Sequence, residues 1–181
     1  GVVQRDVKRM LAYSAIAHAG FMLIGILAYS KEAISALSFY ALTYGVATVG
    51  AFGIIALVRS NRGGSVGGED GDLDAFKGLG RRSPWAAGAM TVFLLSFAGV
   101  PLTAGFMAKF RLFATGLSGS GTPFVILAVV CSAVTAFFYM RLIVLMFFHE
   151  PDGERSVVVA SNGPIALAVG VAVMATIGLG V

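Results

Sequence analysis

The sequence predicts an all-α integral membrane protein with five transmembrane segments, of which the third is interrupted. Of its 181 residues, 57% are hydrophobic and only 12% are charged, whereas soluble domains have about 25% charged residues. The mean hydropathy is +0.88. Five runs contain no Asp, Glu, Lys or Arg, and each exceeds the roughly 18 residues that indicate a spanning helix. These runs are residues 10–30, 33–58, 83–108, 112–140 and 156–181.

The first two segments, at about 10–29 and 34–58, are separated by a short polar link. This spacing predicts an antiparallel helical hairpin. Residues 59–83 then form the longest polar stretch, which we expect to be a polar cytoplasmic loop. Its first half is rich in glycine and charge and predicts a flexible chain. In its second half, residues 73–79 predict a short amphipathic turn on the membrane surface.

The third segment, at about 84–113, begins with Pro84 and Trp85, residue types that favour a first helical turn and a membrane interface, respectively. Gly99, Val100 and Pro101 then predict a break in the helix. Irregular backbone at membrane depth is tolerated only against protein or water. The last two segments are predicted at about 123–148 and 164–181.

Basic residues are concentrated on the connections at one side of these segments. Residues 1–9, 59–82 and 149–162 carry nine of the 13 Lys and Arg residues. The positive-inside rule places the N-terminus in the cytoplasm and the C-terminus on the outer side of a bacterial inner membrane. The basic residues do not share one face, so we expect no nucleic-acid partner. The chain opens without Met and stops inside an apolar run, so we expect a piece of a longer protein.

Lys109 follows an uncharged run of 26 residues and comes eight residues after Pro101. A lysine at mid-membrane costs about 2.5–3.5 kcal/mol on insertion scales, and such charges often belong to ion or proton paths. A lysine amine can exchange its proton, whereas a guanidinium holds its proton permanently. The alternative is an anchor whose ammonium reaches the membrane interface, an interpretation that the nearby Arg111 supports.

His18 lies in the middle of the first segment, where its imidazole is a candidate proton relay. The alternative is a hydrogen bond that joins neighbouring helices. Tyr44 lies one turn from Tyr40, and the pair predicts either a hydrated path or core packing. Lys8 precedes the first segment as a topology charge or a supporting residue.

The sequence has no P-loop, no dinucleotide fingerprint and no nucleophile elbow. The one cysteine, Cys131, excludes an internal disulfide, and no residues have metal-ligand spacing around His18. We therefore expect no catalytic residue, no metal site and no cofactor in this chain.

Two long motifs resemble a known family. RDVKRMLAYSAIAHAGFMLIGILA at 5–28 and LSFAGVPLTAGFMAKFRLF at 95–113 are similar to segments of the antiporter-like subunits of respiratory complex I. GLGRRSPW at 78–85 and FFYMRLIVLMFF at 137–148 are similar to the connecting pieces. Within this family the motifs resemble the subunit N branch most closely. Ala15 and Ala108 depart from the usual Ser and Gly, and neither change removes a titrating group.

The resemblance implies helices ten to fourteen of a fourteen-helix antiporter-like bundle, with residues 1–181 as its C-terminal part. It implies a proton-translocating channel coupled to electron transfer from NADH to quinone. Lys109 would be the proton-loading site near the exit half-channel and His18 a relay, supported by Lys8, Tyr44, Pro101 and Gly105. These roles are expectations that the resemblance carries.

The resemblance also implies that NADH, FMN, iron–sulfur clusters and quinone are bound by other subunits. The partners would be other membrane subunits of complex I, including the antiporter-like paralogues, and the lipid bilayer. Helices one to nine, which in the family carry a glutamate and two further lysines of the proton path, lie outside this sequence. Two alternatives stay open: a subunit of a multisubunit sodium/proton antiporter, and a non-transporting scaffold in which Lys109 is only an anchor.

Overall fold

The computed structural model describes residues 1–62, 65–69, 71–117, 121–150, 156–158 and 163–181, and most of them are helical. The helices are α1 (Val7–Ala28), α2 (Lys31–Leu57), α3 (Leu79–Arg82), α4 (Pro84–Ala98), α5 (Ala104–Gly116), α6 (Thr122–Phe148) and α7 (Gly163–Gly178). The strands are β1 (Val58–Arg62), β2 (Ser65–Glu69) and β3 (Ser156–Val158). In this part of the chain α1, α2 and α6 are long and apolar enough to cross a membrane, and α4 and α7 are shorter apolar helices.

Helices α1 and α2 form the predicted hairpin. The Asp6 carboxylate accepts a hydrogen bond from the Arg9 amide at 2.9 Å and caps the start of α1. Tyr29 ends α1 in the left-handed conformation, and the Ser30 hydroxyl accepts from the Ala33 amide at 3.1 Å to start α2. Side-chain oxygens at these positions satisfy amides that have no partner inside the helix. The two helices therefore turn sharply and pack against each other.

The predicted interruption of the third segment is present between α4 and α5. Gly99 has φ +80° and ends α4, a conformation that glycine adopts without steric cost. Pro101 and Leu102 follow in an exposed turn, and Leu102 has φ +73°. By rise per residue α4 is about 22 Å long and α5 about 20 Å, so neither half alone matches about 30 Å of hydrocarbon.

Helix α2 is central and packs against α1, α4, α5 and α7. Buried side chains form two clusters on either side of it. The larger cluster joins α1, α2, α4 and α6 around Phe93 and Met90. The smaller cluster joins α1, α2, α5 and α6 around Phe21 and Leu112. Tyr44 of α2 is partly buried and packs against both clusters.

The stretch predicted as a flexible loop contains two strands, which corrects that expectation. β1 lies between β2 and β3 in an antiparallel three-stranded sheet. Arg59 pairs with Glu69 in β2 and with Val157 in β3. The described part of the chain is therefore mostly helical, as predicted, with one small three-stranded sheet in addition. Strand β3 is almost 100 residues from β1 in the sequence, so no local sequence pattern predicts that these two strands pair.

Residues 73–79, predicted as a short amphipathic turn, pack their apolar side chains against the rest of the protein. Leu73–Phe76 form a single 3-10 turn, and Phe76 and Leu79 are fully buried in the larger cluster. The backbone at the start of the turn is hydrogen-bonded to the start of the chain, since Leu73 N donates to Arg5 O at 2.7 Å, and after the turn Gly78 N donates to Leu145 O of α6 at 3.3 Å. The apolar face of this turn is therefore covered by protein.

Candidate functional site

Lys109 lies in α5 with its ammonium against the end of α4. The residue is only 6% exposed. Its Nζ donates to Phe97 O at 2.7 Å, to Ala98 O at 3.2 Å and to Ser132 Oγ of α6 at 2.8 Å. A lysine ammonium has three donors, and three acceptors are in place. The ammonium therefore replaces its hydration shell with oxygens from two neighbouring helices.

The two carbonyls are available because the helix breaks there. The last carbonyls of any α-helix lack partners within the helix. At the end of α4, the amides of Gly99 and Val100 turn back to Leu95 and Ser96, which leaves the carbonyls of Phe97 and Ala98 for Lys109. The C-terminal end of a helix carries a partial negative charge. The break thus builds a cation site from backbone dipoles.

No carboxylate compensates the charge of Lys109 in the described part of the chain. The ion pairs found there, Lys77–Asp74 and Arg81–Glu150, lie elsewhere and have partly or largely exposed side chains. The ammonium also contacts the ring of Phe21, whose centroid is 5.4 Å from Nζ. This geometry fits a cation–π interaction. If Lys109 loses its proton, no buried anion is left unpaired.

His18 belongs to a second polar group between α1, α2 and α6. The residue is 2% exposed. Its Nδ1 is 2.7 Å from Tyr40 OH, and its Nε2 is 3.3 Å from Tyr139 OH. Tyr139 OH is in turn hydrogen-bonded to Ser14 Oγ. Each of these four side chains can both donate and accept a hydrogen bond, so together they form a continuous buried hydrogen-bonded chain.

Two aromatic rings separate this chain from Lys109. The His18 ring lies 5.6 Å from the Phe21 centroid and 5.7 Å from the Phe97 centroid, both edge-on. Lys109 contacts the same two residues, through the Phe21 ring and the Phe97 carbonyl. No direct hydrogen bond joins Lys109 to His18 in the structure as described. The two polar groups are therefore neighbours with an apolar partition between them.

The structure brings together some of the predicted site residues. Tyr44 stacks on His18 with ring centroids 4.3 Å apart. Gly105 lies where α5 meets α4, and its amide donates to Ser96 Oγ at 3.0 Å. Pro101 is on the exposed side of the break. Lys8 is ten residues from His18 in the same helix, about 15 Å along the axis, so it stands apart from both polar groups.

The anchor interpretation of Lys109 requires an ammonium that reaches the interface. The observed side chain is buried and all its donors are used inside the protein. Arg111, two residues later, differs: it is exposed and its guanidinium lies 5.1 Å from the Phe39 ring centroid. The anchoring geometry therefore belongs to Arg111 rather than to Lys109.

Ser132 and Tyr139 are among the residues that contact the site and were missed from the sequence. Both lie in α6, where Ser132, Thr135 and Tyr139 follow one another at spacings of three and four residues. Such spacing puts them on one face of a helix. A polar stripe on an otherwise apolar spanning helix was the available signal for these residues.

A family model described as "NADH:quinone oxidoreductase/Mrp antiporter, TM" matches residues 1–174. NADH-quinone oxidoreductase subunit N of Rhodococcus opacus is 49% identical over 180 residues, which cover 99% of this chain and 32% of that protein. The protein of the same name from Thermobifida fusca is 48% identical, with 99% of this chain and 31% of that protein covered. The chain thus spans about one third of the length of these curated relatives.

Two solved structures have the same fold. A chain of respiratory complex I from Thermus thermophilus aligns with a TM-score of 0.81 and 33% identity, over 98% of this chain and 38% of that chain. A chain of the membrane-bound sulfane sulfur reductase, an archaeal respiratory membrane complex, aligns with a TM-score of 0.78 and 30% identity, over 98% and 34%. Because the family model matches almost the whole chain, the chain belongs to the transmembrane family of NADH:quinone oxidoreductase and Mrp antiporter subunits.

Proposed function

We propose that this chain forms the C-terminal part of a proton-translocating membrane subunit of NADH-quinone oxidoreductase. The observation that carries the proposal is the buried Lys109, whose ammonium has only neutral oxygens as hydrogen-bond acceptors among the described residues. The curated relatives are named NADH-quinone oxidoreductase, and we take the coupled reaction, electron transfer from NADH to quinone, from that name. Other membrane subunits would be the partners, and NADH, FMN, iron–sulfur clusters and quinone would be bound outside this chain.

Lys109 is the group that would hold the translocated proton. As an ammonium it makes three hydrogen bonds to Phe97, Ala98 and Ser132. After release of the proton, a neutral amine still donates two hydrogen bonds and leaves no unpaired charge. Both protonation states are therefore compatible with the same packing. A group whose two states fit one site can be loaded and emptied repeatedly without rebuilding the protein around it.

The buried chain of Ser14, Tyr139, His18 and Tyr40 would deliver or remove protons. Rotation of hydroxyls and exchange of the imidazole proton allow such a chain to carry a proton along its length. Transfer to Lys109 then has to pass Phe21 and Phe97. We infer that this step uses water admitted between the two rings, since no hydrogen bond crosses the partition.

We propose that the chain crosses the bilayer five times, with α4 and α5 together forming the third, discontinuous span. It would supply helices ten to fourteen of a fourteen-helix bundle. The distribution of Lys and Arg supports a cytoplasmic N-terminus and a C-terminus on the outer side of the cell membrane. In that orientation the small sheet and the 3-10 turn lie on the cytoplasmic side.

The topology can be tested with single cysteines in a Cys131→Ala background. Val3 and His149 are exposed near one end of the bundle, and Lys31 is exposed between α1 and α2 at the other. We expect an impermeant thiol reagent to label Val3→Cys and His149→Cys in inverted membrane vesicles, and Lys31→Cys only after the vesicles are opened. Equal labelling of all three in sealed vesicles would refute the proposed topology.

Replacement of the relay histidine should lower proton translocation less than replacement of Lys109. His18→Ala removes one member of the hydrogen-bonded chain and leaves a cavity about the size of an imidazole. The two hydroxyls beside this cavity make it polar enough to hold water. Water can then substitute for the imidazole, so we expect reduced but measurable NADH-driven acidification of sealed vesicles. A complete loss of pumping in an assembled complex would assign His18 a role that water cannot replace.

A sodium/proton antiporter subunit is the second candidate, because the matching family model also covers Mrp antiporters. The two functions differ in their driving force. In inverted vesicles that contain the assembled complex, we expect NADH to drive proton uptake without added sodium. Proton movement that requires a sodium gradient and ignores NADH would favour the antiporter.

A further inference from the structure

The two halves of the broken helix cap each other with side chains. Lys109 of α5 donates to the Phe97 and Ala98 carbonyls at the end of α4. In the opposite direction, Ser96 of α4 accepts from the Gly105 amide at the start of α5, at 3.0 Å. Ser96 is 3% exposed. Each half of the helix thus satisfies backbone groups that the break leaves open in the other half.

The Ser96 hydroxyl takes the role of an N-cap side chain for α5. Thr103 is in the N-cap position of α5, but its side chain accepts no hydrogen bond from the first turn. Its hydroxyl donates instead to Val100 O at 2.7 Å. The amides of Phe106 and Met107 bond to Thr103 O, and Ser96 Oγ is the acceptor for the Gly105 amide.

We propose that Ser96 is a positioning residue that holds Lys109 in its site while the lysine gains and loses its proton. This inference rests on the proposed function. Gly105 and Lys109 are four residues apart in α5, so they lie one above the other on the same face. A hydrogen bond at Gly105 therefore sets how far the helix turn that carries Lys109 lies from α4, and how that turn is rotated.

Two glycines allow the close approach that this arrangement needs. A Cβ atom at Gly105 would overlap the backbone oxygen of Ser96. A Cβ atom at Gly99 would lie 3.0 Å from Lys109 Cδ and 3.4 Å from its Nζ. The lysine chain runs directly over the break, so a shift of α5 by a fraction of an ångström changes the distances from its nitrogen to both carbonyls.

The bond between Ser96 and Gly105 does not depend on the charge of Lys109. When the lysine is an ammonium, charge-assisted hydrogen bonds hold the break closed. When it is neutral, those bonds weaken and the Ser96–Gly105 bond remains. Ser96 therefore keeps the carbonyls of Phe97 and Ala98 in place for the next proton. Without Ser96, the neutral state would let the two halves separate.

The test compares Ser96→Ala, which removes the acceptor, with Ser96→Thr, which keeps a hydroxyl, in the assembled complex. Thr91→Val is the control, because Thr91 lies in the same helix and, within the described part of the chain, its hydroxyl bonds only to its own helix, at Ala87 O. Hydrogen–deuterium exchange of the peptide covering residues 99–108 reports on the break. The ratio of protons translocated to electrons transferred reports on function.

For Ser96→Ala we expect exchange in that peptide to rise at least about fivefold, the effect of one lost net hydrogen bond. We expect the proton-to-electron ratio to fall at least about twofold, because small misplacement of a reacting group slows its reaction. NADH oxidation should continue. Ser96→Thr should restore both values, and Thr91→Val should leave both unchanged. If Ser96→Ala does not assemble, Ser96→Cys, with nearly the same volume but only a weak acceptor, takes its place in the comparison.

Unchanged exchange and an unchanged ratio in Ser96→Ala would overturn the positioning role. An equal loss of pumping in the Thr91→Val control would overturn it as well, since any hydroxyl of α4 would then have the same effect. A failure of the proposed function can be distinguished from a failure of the Ser96 proposal. In that case Lys109→Ala would pump normally, whatever the effect of the Ser96 substitutions.

Discussion

Replacing Lys109 by alanine should reduce NADH-driven proton translocation at least about tenfold, a lower bound set below the roughly 100- to 10,000-fold that a general acid or base contributes. The substitution deletes the amine and leaves the Phe97 and Ala98 carbonyls facing a cavity of about one lysine side chain. Alanine is the best helix former, so α5 itself should persist. Acidification of sealed inverted vesicles measures pumping, and the amount of assembled complex in the same membranes is measured separately.

The matched control for this substitution is Lys31→Ala. Lys31 carries the same charge but is exposed at the start of α2, so its loss should leave both assembly and pumping unchanged. Normal pumping by assembled Lys109→Ala would show that the buried amine is structural. Loss of the whole complex would instead show that the cation is needed to hold the break together.

Among glycine-to-alanine substitutions near the break in the described part of the chain, Gly105→Ala should be the most damaging. The new Cβ would overlap the Ser96 carbonyl oxygen, which is backbone and cannot rotate away. Helices α4 and α5 would have to separate, breaking the Ser96–Gly105 bond and moving Lys109 away from its acceptors. We expect a loss of about 1–3 kcal/mol from overpacking, seen as a lower melting temperature of the solubilised complex, with pumping lowered as well.

Gly88→Ala provides the control for added volume and helix propensity. Gly88 lies in the middle of α4, and a Cβ atom there would have no neighbour within 4 Å. Replacing a glycine inside a helix with alanine stabilises it by up to about 1 kcal/mol. We therefore expect an unchanged or slightly higher melting temperature. If Gly105→Ala and Gly88→Ala melt and pump alike, the close contact between the two half-helices has no energetic importance.

The sequence was sufficient for the features that depend on local patterns. Uncharged runs located the long apolar helices, and the glycine and proline near residue 100 located the break. Lys109 and His18 were conspicuous because charged or titratable side chains are costly at membrane depth. Each of these signals lies within one segment, so it can be read without knowing which segments touch.

The acceptors around the site could not be predicted in the same way. Ser14 and Tyr139 are 125 residues apart in sequence, and Lys109 and Ser132 are 23 apart. Their contacts depend on how α1, α5 and α6 rotate about their own axes, and the polar stripe on α6 does not indicate which neighbouring helix it faces. The three-stranded sheet was missed for a related reason, since its strands are short and glycine-rich in part, and β3 is almost 100 residues from β1 in the sequence.

The most direct test of whether the proton on Lys109 moves is the proton-to-electron ratio of Lys109→Arg in the assembled complex. Arginine keeps a cation and hydrogen-bond donors at the end of α4, but its guanidinium does not release a proton in proteins. If translocation depends on loading and unloading this site, the variant should assemble at least as well as Lys109→Ala and pump as poorly. A ratio equal to that of the wild type would show that a fixed charge is enough, and Lys109 would then be a helix cap rather than a proton carrier.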